Sequence, residues 1–158
     1  MIRKYKDGDL SVIADIAKRA WLKIYDMYQD TYGRELFSLL VPDKDTAKEK
    51  QIKDHVLNHP DWIYICEENG KIVGFITFAI HRERKIGEIG NNAVDPECGL
   101  KGIGQQMYGE VFKRFKDEGM LYAQVTTGLD DTHLRARRAY ERAGFNIKKE
   151  DVTYFRKL

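Results

Sequence analysis

Between Asp95 and Tyr108 the sequence reads DPECGLKGIGQQMY, with three glycines in six residues where a hydrophobic, strand-like stretch gives way to a helical one. No other feature narrows the fold as much. From Ile103, the residues Met107, Val111, Phe112 and Phe115 recur at helical spacing, while Glu110, Lys113, Arg114 and Asp117 take the opposite face. The turn therefore opens an amphipathic helix, which Gly119 can close. The stretch before it, IGEIGNNAV, is a strand interrupted by Gly87, Gly90 and the Asn91-Asn92 pair, a composition that invites a bulge. A strand, a glycine turn and a helix starting near Gly102 make an anion site, because the unpaired N–H groups of the first helical turn point outward and the helix dipole favours negative charge there. Glycines let a phosphate approach those groups closely. The spacing is not the G-x-x-x-x-G-K-S/T of a P-loop, and the segment lacks the βαβ surroundings and downstream acid of a dinucleotide fold.

The flanking elements limit the architecture further. IRKY is a short strand, and Asp9 is placed to cap a helix whose Leu10, Ile13, Ile16, Ala17, Ala20, Trp21 and Ile24 share one face. GRELFSLLVP predicts a short second helix stopped before Pro42, and DTAKEKQIKDHVLNHP a third, exposed one ending near Pro60. WIYICEE and KIVGFITFAI are β-rich and joined by Asn69-Gly70, the signature of a tight hairpin. LYAQVTT predicts a further strand, DTHLRARRAYERA a helix ended by Gly144, and FNIKKEDVTYFRKL a closing pair of strands or a long hairpin. With 158 residues, no repeat and no linker, the expectation is one domain over residues 1–158, burying about two-thirds of its unfolded surface.

The order of these elements, with two separated motifs, resembles the GNAT superfamily of acetyl-CoA-dependent N-acetyltransferases. In that family a strand ending in V-x-P leads to Q/R-x-x-G-x-G/A; here AVDPE is followed by Gly99-Leu100-Lys101-Gly102-Ile103-Gly104, with Gly99 in place of Gln or Arg. A second family segment, N-x-x-A-x-x-x-Y-E-x-x-G-F, is mirrored by HLRARRAYERAGF, with His133 where Asn is usual, then Ala136, Tyr140, Glu141, Gly144 and Phe145. The resemblance implies an α/β (α+β) fold whose mixed, mostly antiparallel sheet carries a bulged central strand between flanking helices. It also implies direct transfer of an acetyl group from acetyl-CoA to a primary amine of a small molecule or a protein. The backbone amides from Leu100 to Gln105 (Leu100, Lys101, Gly102, Ile103, Gly104, Gln105) would hold the coenzyme pyrophosphate. Ala93 and Val94 would line its pantetheine arm, with His133 and Ala136 close to that arm. The Tyr140 hydroxyl would protonate the leaving thiolate.

Acetyl transfer also needs a neutral amine and a polarised carbonyl. The resemblance assigns the carbonyl to a backbone N–H near Asn92 to Val94, where a bulge frees donors. For the base, Glu88 is expected to share the strand face of Gly90 and Asn92; His133, or a water held by Asn91 or Asn92, stands as the alternative. Trp21 and Tyr25, with Asn92, are the candidate acceptor contacts, in a first helical region that also holds Tyr28, Tyr32, Asp26, Asp30 and Glu35; aromatics with acids suit a cationic amine. A non-catalytic acyl-CoA-binding or regulatory module is the rival, supported by Gly99 and His133. A net charge of +2 with one basic run, in HLRARRAYER, gives no footprint for nucleic acid. No apolar stretch is long enough to cross a bilayer, the two cysteines lack metal-finger spacing, and His55 and His59 have no third ligand spaced to join them. The expectation is a cytoplasmic protein with no metal, no membrane partner and, as an open assembly state, a homodimer.

Overall fold

The computed structural model describes residues 1–158 and places five strands in one sheet in chain order. The strands are β1 (Ile2–Lys4), β2 (Ile63–Glu68), β3 (Lys71–His81), β4 (Ile86–Val94) and β5 (Tyr122–Val125). The first four pair antiparallel, and β5 joins β4 in parallel. The parallel step needs a crossover, and α3 (Ile103–Asp117) supplies it. Helices α1 (Leu10–Leu40) and α2 (Ala47–Asn58) cover one face, where Ile13, Ile16 and Ile52 meet Ile63, Ile65 and Phe75. The other face carries α3 and α4 (Leu134–Arg142), with Met107, Val111, Phe115 and Tyr140 packed on Ile76, Phe78 and Ile89. This is the mixed, mostly antiparallel α+β sheet expected from the sequence.

Several local expectations are corrected. The two helices expected before Pro42 run together as α1 across a kink at Gly33, whose φ of 74° and ψ of 162° are not helical. Asp9 does not cap α1 with its side chain. Its buried carboxylate instead takes both terminal nitrogens of the Arg3 guanidinium, at 2.7 and 3.0 Å, and the Lys6 N–H at 2.8 Å; a paired guanidinium satisfies a buried charge better than a lone N–H. Helix α2 is not wholly exposed, since Ile52 and Val56 are buried on α1 and the sheet. The closing strands are absent: residues 145–158 form no ladder, and Ile147, Val152 and Tyr154 stay exposed. The charged run Lys148 to Asp151 interrupts the apolar alternation and is spent on local ion pairs, Lys148 with Glu141 and Lys149 with Asp151. The segment returns instead to α1, where Phe155 meets the Tyr32 ring at 5.5 Å and Lys157 pairs with Glu35 at 2.7 Å.

The bulge in β4 is present. Ile76 stands opposite Asn92 and Phe78 opposite Ile89, so Thr77 alone faces Gly90 and Asn91. The Thr77 hydroxyl, buried, donates to the Asn91 carbonyl at 3.2 Å. At the same place β4 and β5 part: their ladder runs from Ile86–Tyr122 to Ile89–Val125 and stops, leaving Gly90–Val94 without a neighbour on that side.

Candidate active site on the bulged strand

Three elements converge where β4 leaves β5. The first is the glycine turn. Gly99 and Gly102 have φ of 66° and 82°, the left-handed region where a side chain is strained, and a Cβ at either would meet nothing within 4 Å. Glycine at 99 is thus required by the backbone rather than being a damaged Gln or Arg. Gly102 caps α3 with no side-chain bond, and the first backbone amide bonded within the helix is that of Gln106, to the Gly102 carbonyl at 3.1 Å. The amides of Ile103, Gly104 and Gln105 are therefore left to face an incoming acceptor. Leu100 and Lys101 are exposed beside them, while the Ile103 side chain is buried in the core. The Gln105 side chain reaches the Ala139 carbonyl at 2.8 Å and ties α3 to α4, leaving only its backbone N–H at the turn. Arg19 anchors the approach: its guanidinium donates to Asp95 at 2.6 Å and to Asp15 at 2.9 Å, holding the segment after β4 against α1.

The second element is a three-residue polar chain on the α3 side. Asn92 projects from the bulge between two tyrosines. Its amide nitrogen donates to the Tyr140 oxygen at 3.1 Å and to the Gly90 carbonyl at 3.1 Å, and its amide oxygen accepts from the Tyr108 hydroxyl at 3.1 Å. The Gly90 carbonyl, which can only accept, fixes which way the amide points. Tyr140 is 8% exposed, and its ring lies 5.5 Å from that of Tyr108. Burial raises the phenols of both tyrosines above their ordinary range; for Tyr140 the hydrogen bond from the Asn92 amide pulls the other way. Tyr140 accepts from Asn92 and keeps its own proton uncommitted within the protein.

The third element is on the opposite face. Glu88 stands across from Ala79, between the inward-facing Phe78 and Ile80, so its side chain points toward the α1 and α2 side. The expectation that Glu88 shares a face with Asn92 is thus corrected: the extra residue of the bulge shifts the side-chain alternation, and Glu88 now shares its face with Asn91. Its carboxylate takes a 2.8 Å hydrogen bond from His81 Nε2. Asn91 accepts from Lys48 Nζ at 2.9 Å, and the same amine donates to Gln51 Oε1 at 2.9 Å and lies 4.4 Å from the centre of the Trp21 ring.

The remaining candidates divide. Ala93 is buried on the α1 side and Val94 is half-buried at the end of the strand, both beside the parting of β4 and β5. Ala136 packs against the α3-side core. Trp21 reaches the bulge through Lys48, but Tyr25 does not: it is buried against Phe37, ring centres 6.4 Å apart, where α1 bends. His133 is held at the start of α4 by Asp130, Nδ1 to Oδ2 at 2.7 Å, and its ring lies 6.3 Å from Tyr28. Asp26 and Asp30 are exposed. Arg137 donates to the Gly128 and Asp130 carbonyls, both at 2.6 Å, bracing the loop before α4. His55 is committed to the Trp62 carbonyl at 2.9 Å, and no group of three metal-ligating side chains is assembled. Tyr108 and Lys48 join the site beyond the residues expected from the sequence. Lys48 precedes Ile52 and Val56 by four and eight residues, so helical spacing already aligned it with the buried stripe of α2.

These features belong to a known family. Residues 21–145 match the acetyltransferase (GNAT) family, and the chain is a member of it. A mycothiol acetyltransferase of Segniliparus rotundus is 30% identical over 102 residues, 61% of this chain and 38% of that protein, so the chain spans about two-fifths of this relative's length. An uncharacterized N-acetyltransferase of Bacillus subtilis, YhfO, is 28% identical over 159 residues, covering 97% of this chain and 94% of its own. The fold is shared with the PaiA N-acetyltransferase of Thermoplasma acidophilum, solved with coenzyme A, at a TM-score of 0.72, 22% identity and coverage of 96% and 92%. No helix is long and apolar enough to cross a membrane.

Proposed function

We propose that this chain, as a single domain over residues 1–158, is an acetyl-CoA-dependent N-acetyltransferase acting on a primary amine by direct transfer. The reading is carried by the Tyr140 hydroxyl, which accepts from Asn92 on the bulge and keeps its own proton to give. When bound, acetyl-CoA supplies an electrophilic thioester carbonyl and a thiolate leaving group. The amides of Ile103, Gly104 and Gln105, with Lys101 beside them, suit its pyrophosphate. Free backbone donors near Asn92–Val94, where β4 has no β5 neighbour, suit the arm and the carbonyl oxygen. Glu88 receives a proton from the amine on the α1 side, oriented by His81. Tyr140 protonates sulfur from the α3 side, and Asn92 steadies the phenol oxygen as its charge grows. Relatives named for mycothiol acetylation favour a small-molecule acceptor over a protein.

Calorimetric titration with acetyl-CoA, repeated with Gly102→Glu, tests the reading. The native chain should bind and the variant should not, because a carboxylate would crowd and repel the pyrophosphate. Failure of the native chain to bind sinks the assignment. Thiol release with at least one amine in a panel separates the enzyme from a non-catalytic binding module.

A further inference from the structure

The one amine that the fold brings to the bulge belongs to the protein. Lys48 stands on the buried face of α2 and reaches across to β4, where its three donor directions meet Asn91 Oδ1 at 2.9 Å, Gln51 Oε1 at 2.9 Å and the face of Trp21 at 4.4 Å. None of these partners is a carboxylate, so no opposite charge holds the amine in its protonated form. Asn91 is the residue before Asn92, and the two point to opposite faces of the sheet. The amine thus sits on the acceptor side, one residue along the strand from the backbone donors assigned above to the acyl carbonyl, and its face also carries Glu88.

We propose that Lys48 is a self-acylation site: an acyl thioester bound at the bulge transfers its acyl group to Lys48 Nζ of the same molecule. This rests on the acetyltransferase reading. The balance is that of the ordinary reaction. Lys48 first releases a proton; its nitrogen lone pair then bonds to the acyl carbon as the carbon–sulfur bond breaks, the nitrogen gives up a second proton to become an amide, and the thiolate is protonated to the free thiol. Burial supports the first step, lowering the amine from 10.5 to about 8. At pH 7.5 roughly a quarter of such amines are neutral, against roughly a thousandth of ordinary lysines. The product loses its charge, so it gives up the contact with Trp21 and fills the space beside Asn91 with an acyl group, a form in which external amines would be excluded.

The test needs only the full chain and acetyl-CoA. Peptide mass spectrometry over time should find acetylation of Lys48 at least about tenfold faster than of Lys50 and Lys53 on the same helix. Gly102→Glu, which leaves the amine as it is but removes the bound thioester, should abolish that excess; an excess that persists in Gly102→Glu would overturn transfer from the bound thioester. The rate per molecule should be unchanged by tenfold dilution at saturating acetyl-CoA. Titration of the same sample separates the failures. Binding with Lys48 acetylated no faster than its neighbours overturns self-acylation and leaves the acetyltransferase reading standing, whereas absence of binding overturns both. A rate that falls on dilution overturns transfer within one molecule. Lys48→Arg should abolish the modified peptide without loss of acetyl-CoA binding.

Discussion

The two faces of the sheet meet at the bulge of β4 and are built on different plans. On the α3 side the site is an extension of the core: Tyr108 and Tyr140 are buried, and the one amide between them, Asn92, has its donors and its acceptor satisfied. On the α1 side the same strand presents polar and charged groups, Glu88, Asn91 and the reach of Lys48, against a helix that is half solvated. The contrast teaches what a bulge does beyond freeing donors. By adding one residue it places Asn91 and Glu88 on one face and Asn92 on the other, so that the two faces of one strand present different polar groups beside the parting of β4 and β5.

The comparison breaks most sharply at Tyr140. Tyr140→Phe keeps the ring in the core and removes only the proton donor, so kcat should fall by about ten- to a thousandfold while acetyl-CoA affinity holds. Steady-state rates with calorimetry on the same protein check this; unchanged turnover would remove Tyr140 from the chemistry. Next comes Asn92→Ala, which leaves the phenol in place but unsteadied and should lower kcat by about tenfold. If Asn92 acts through Tyr140, adding the substitution to Tyr140→Phe should cost less than about twofold more, and a double-mutant cycle measures that coupling. Full additivity would mean that Asn92 serves some other step.

A smaller effect sharpens the contrast in packing. Gly87 faces the α3 side, where a Cβ would lie 2.4 Å from the Phe115 ring. Gly87→Ala should therefore destabilise the fold by about 1–3 kcal/mol, read as a lower denaturant midpoint, because a dry, close-packed face has no room to give.

The two faces also differ in how far the sequence disclosed them. The α3 side is written in local patterns: the glycines of the turn, the helical spacing of Met107, Val111 and Phe115, and the motif that runs to Tyr140, all within about fifty residues. The bulge was legible too, from Gly90 and the Asn91-Asn92 pair. Its consequence was not, because counting every second residue from Glu88 assumes an unbroken pleat, and a single extra residue reverses the answer. The α1 side depends on packing between distant segments. Tyr25 looked like a pocket residue by composition and is consumed where α1 bends against Phe37, and the alternating residues after Gly144 found no strand to pair with. Lys48 was hidden by its chemistry: a charge in a polar helix suggests solvent, although its spacing to Ile52 put it on the covered face.

Lys48 itself gives the smallest effect and the one most particular to the α1 side. Burial lowers its amine from 10.5 to about 8, which means that the folded protein binds this proton less readily than the unfolded chain does. Below pH 8 both states carry the charge and the folded state bears its incomplete hydration; above about 10.5 both are neutral and the penalty is gone. Lys48→Met should therefore raise stability at pH 7. Solvent still reaches part of the amine, and the variant gives up the hydrogen bonds to Asn91 and Gln51, so the net gain is about 1 kcal/mol. The gain should shrink as pH rises from 8 to 10.5, and the difference in Tm between variant and native chain across that range isolates this one group from every other titration. A gain that stays level with pH would mean that the amine is not held away from water, and a loss at pH 7 would mean that its contacts with Asn91, Gln51 and Trp21 outweigh the charge they surround.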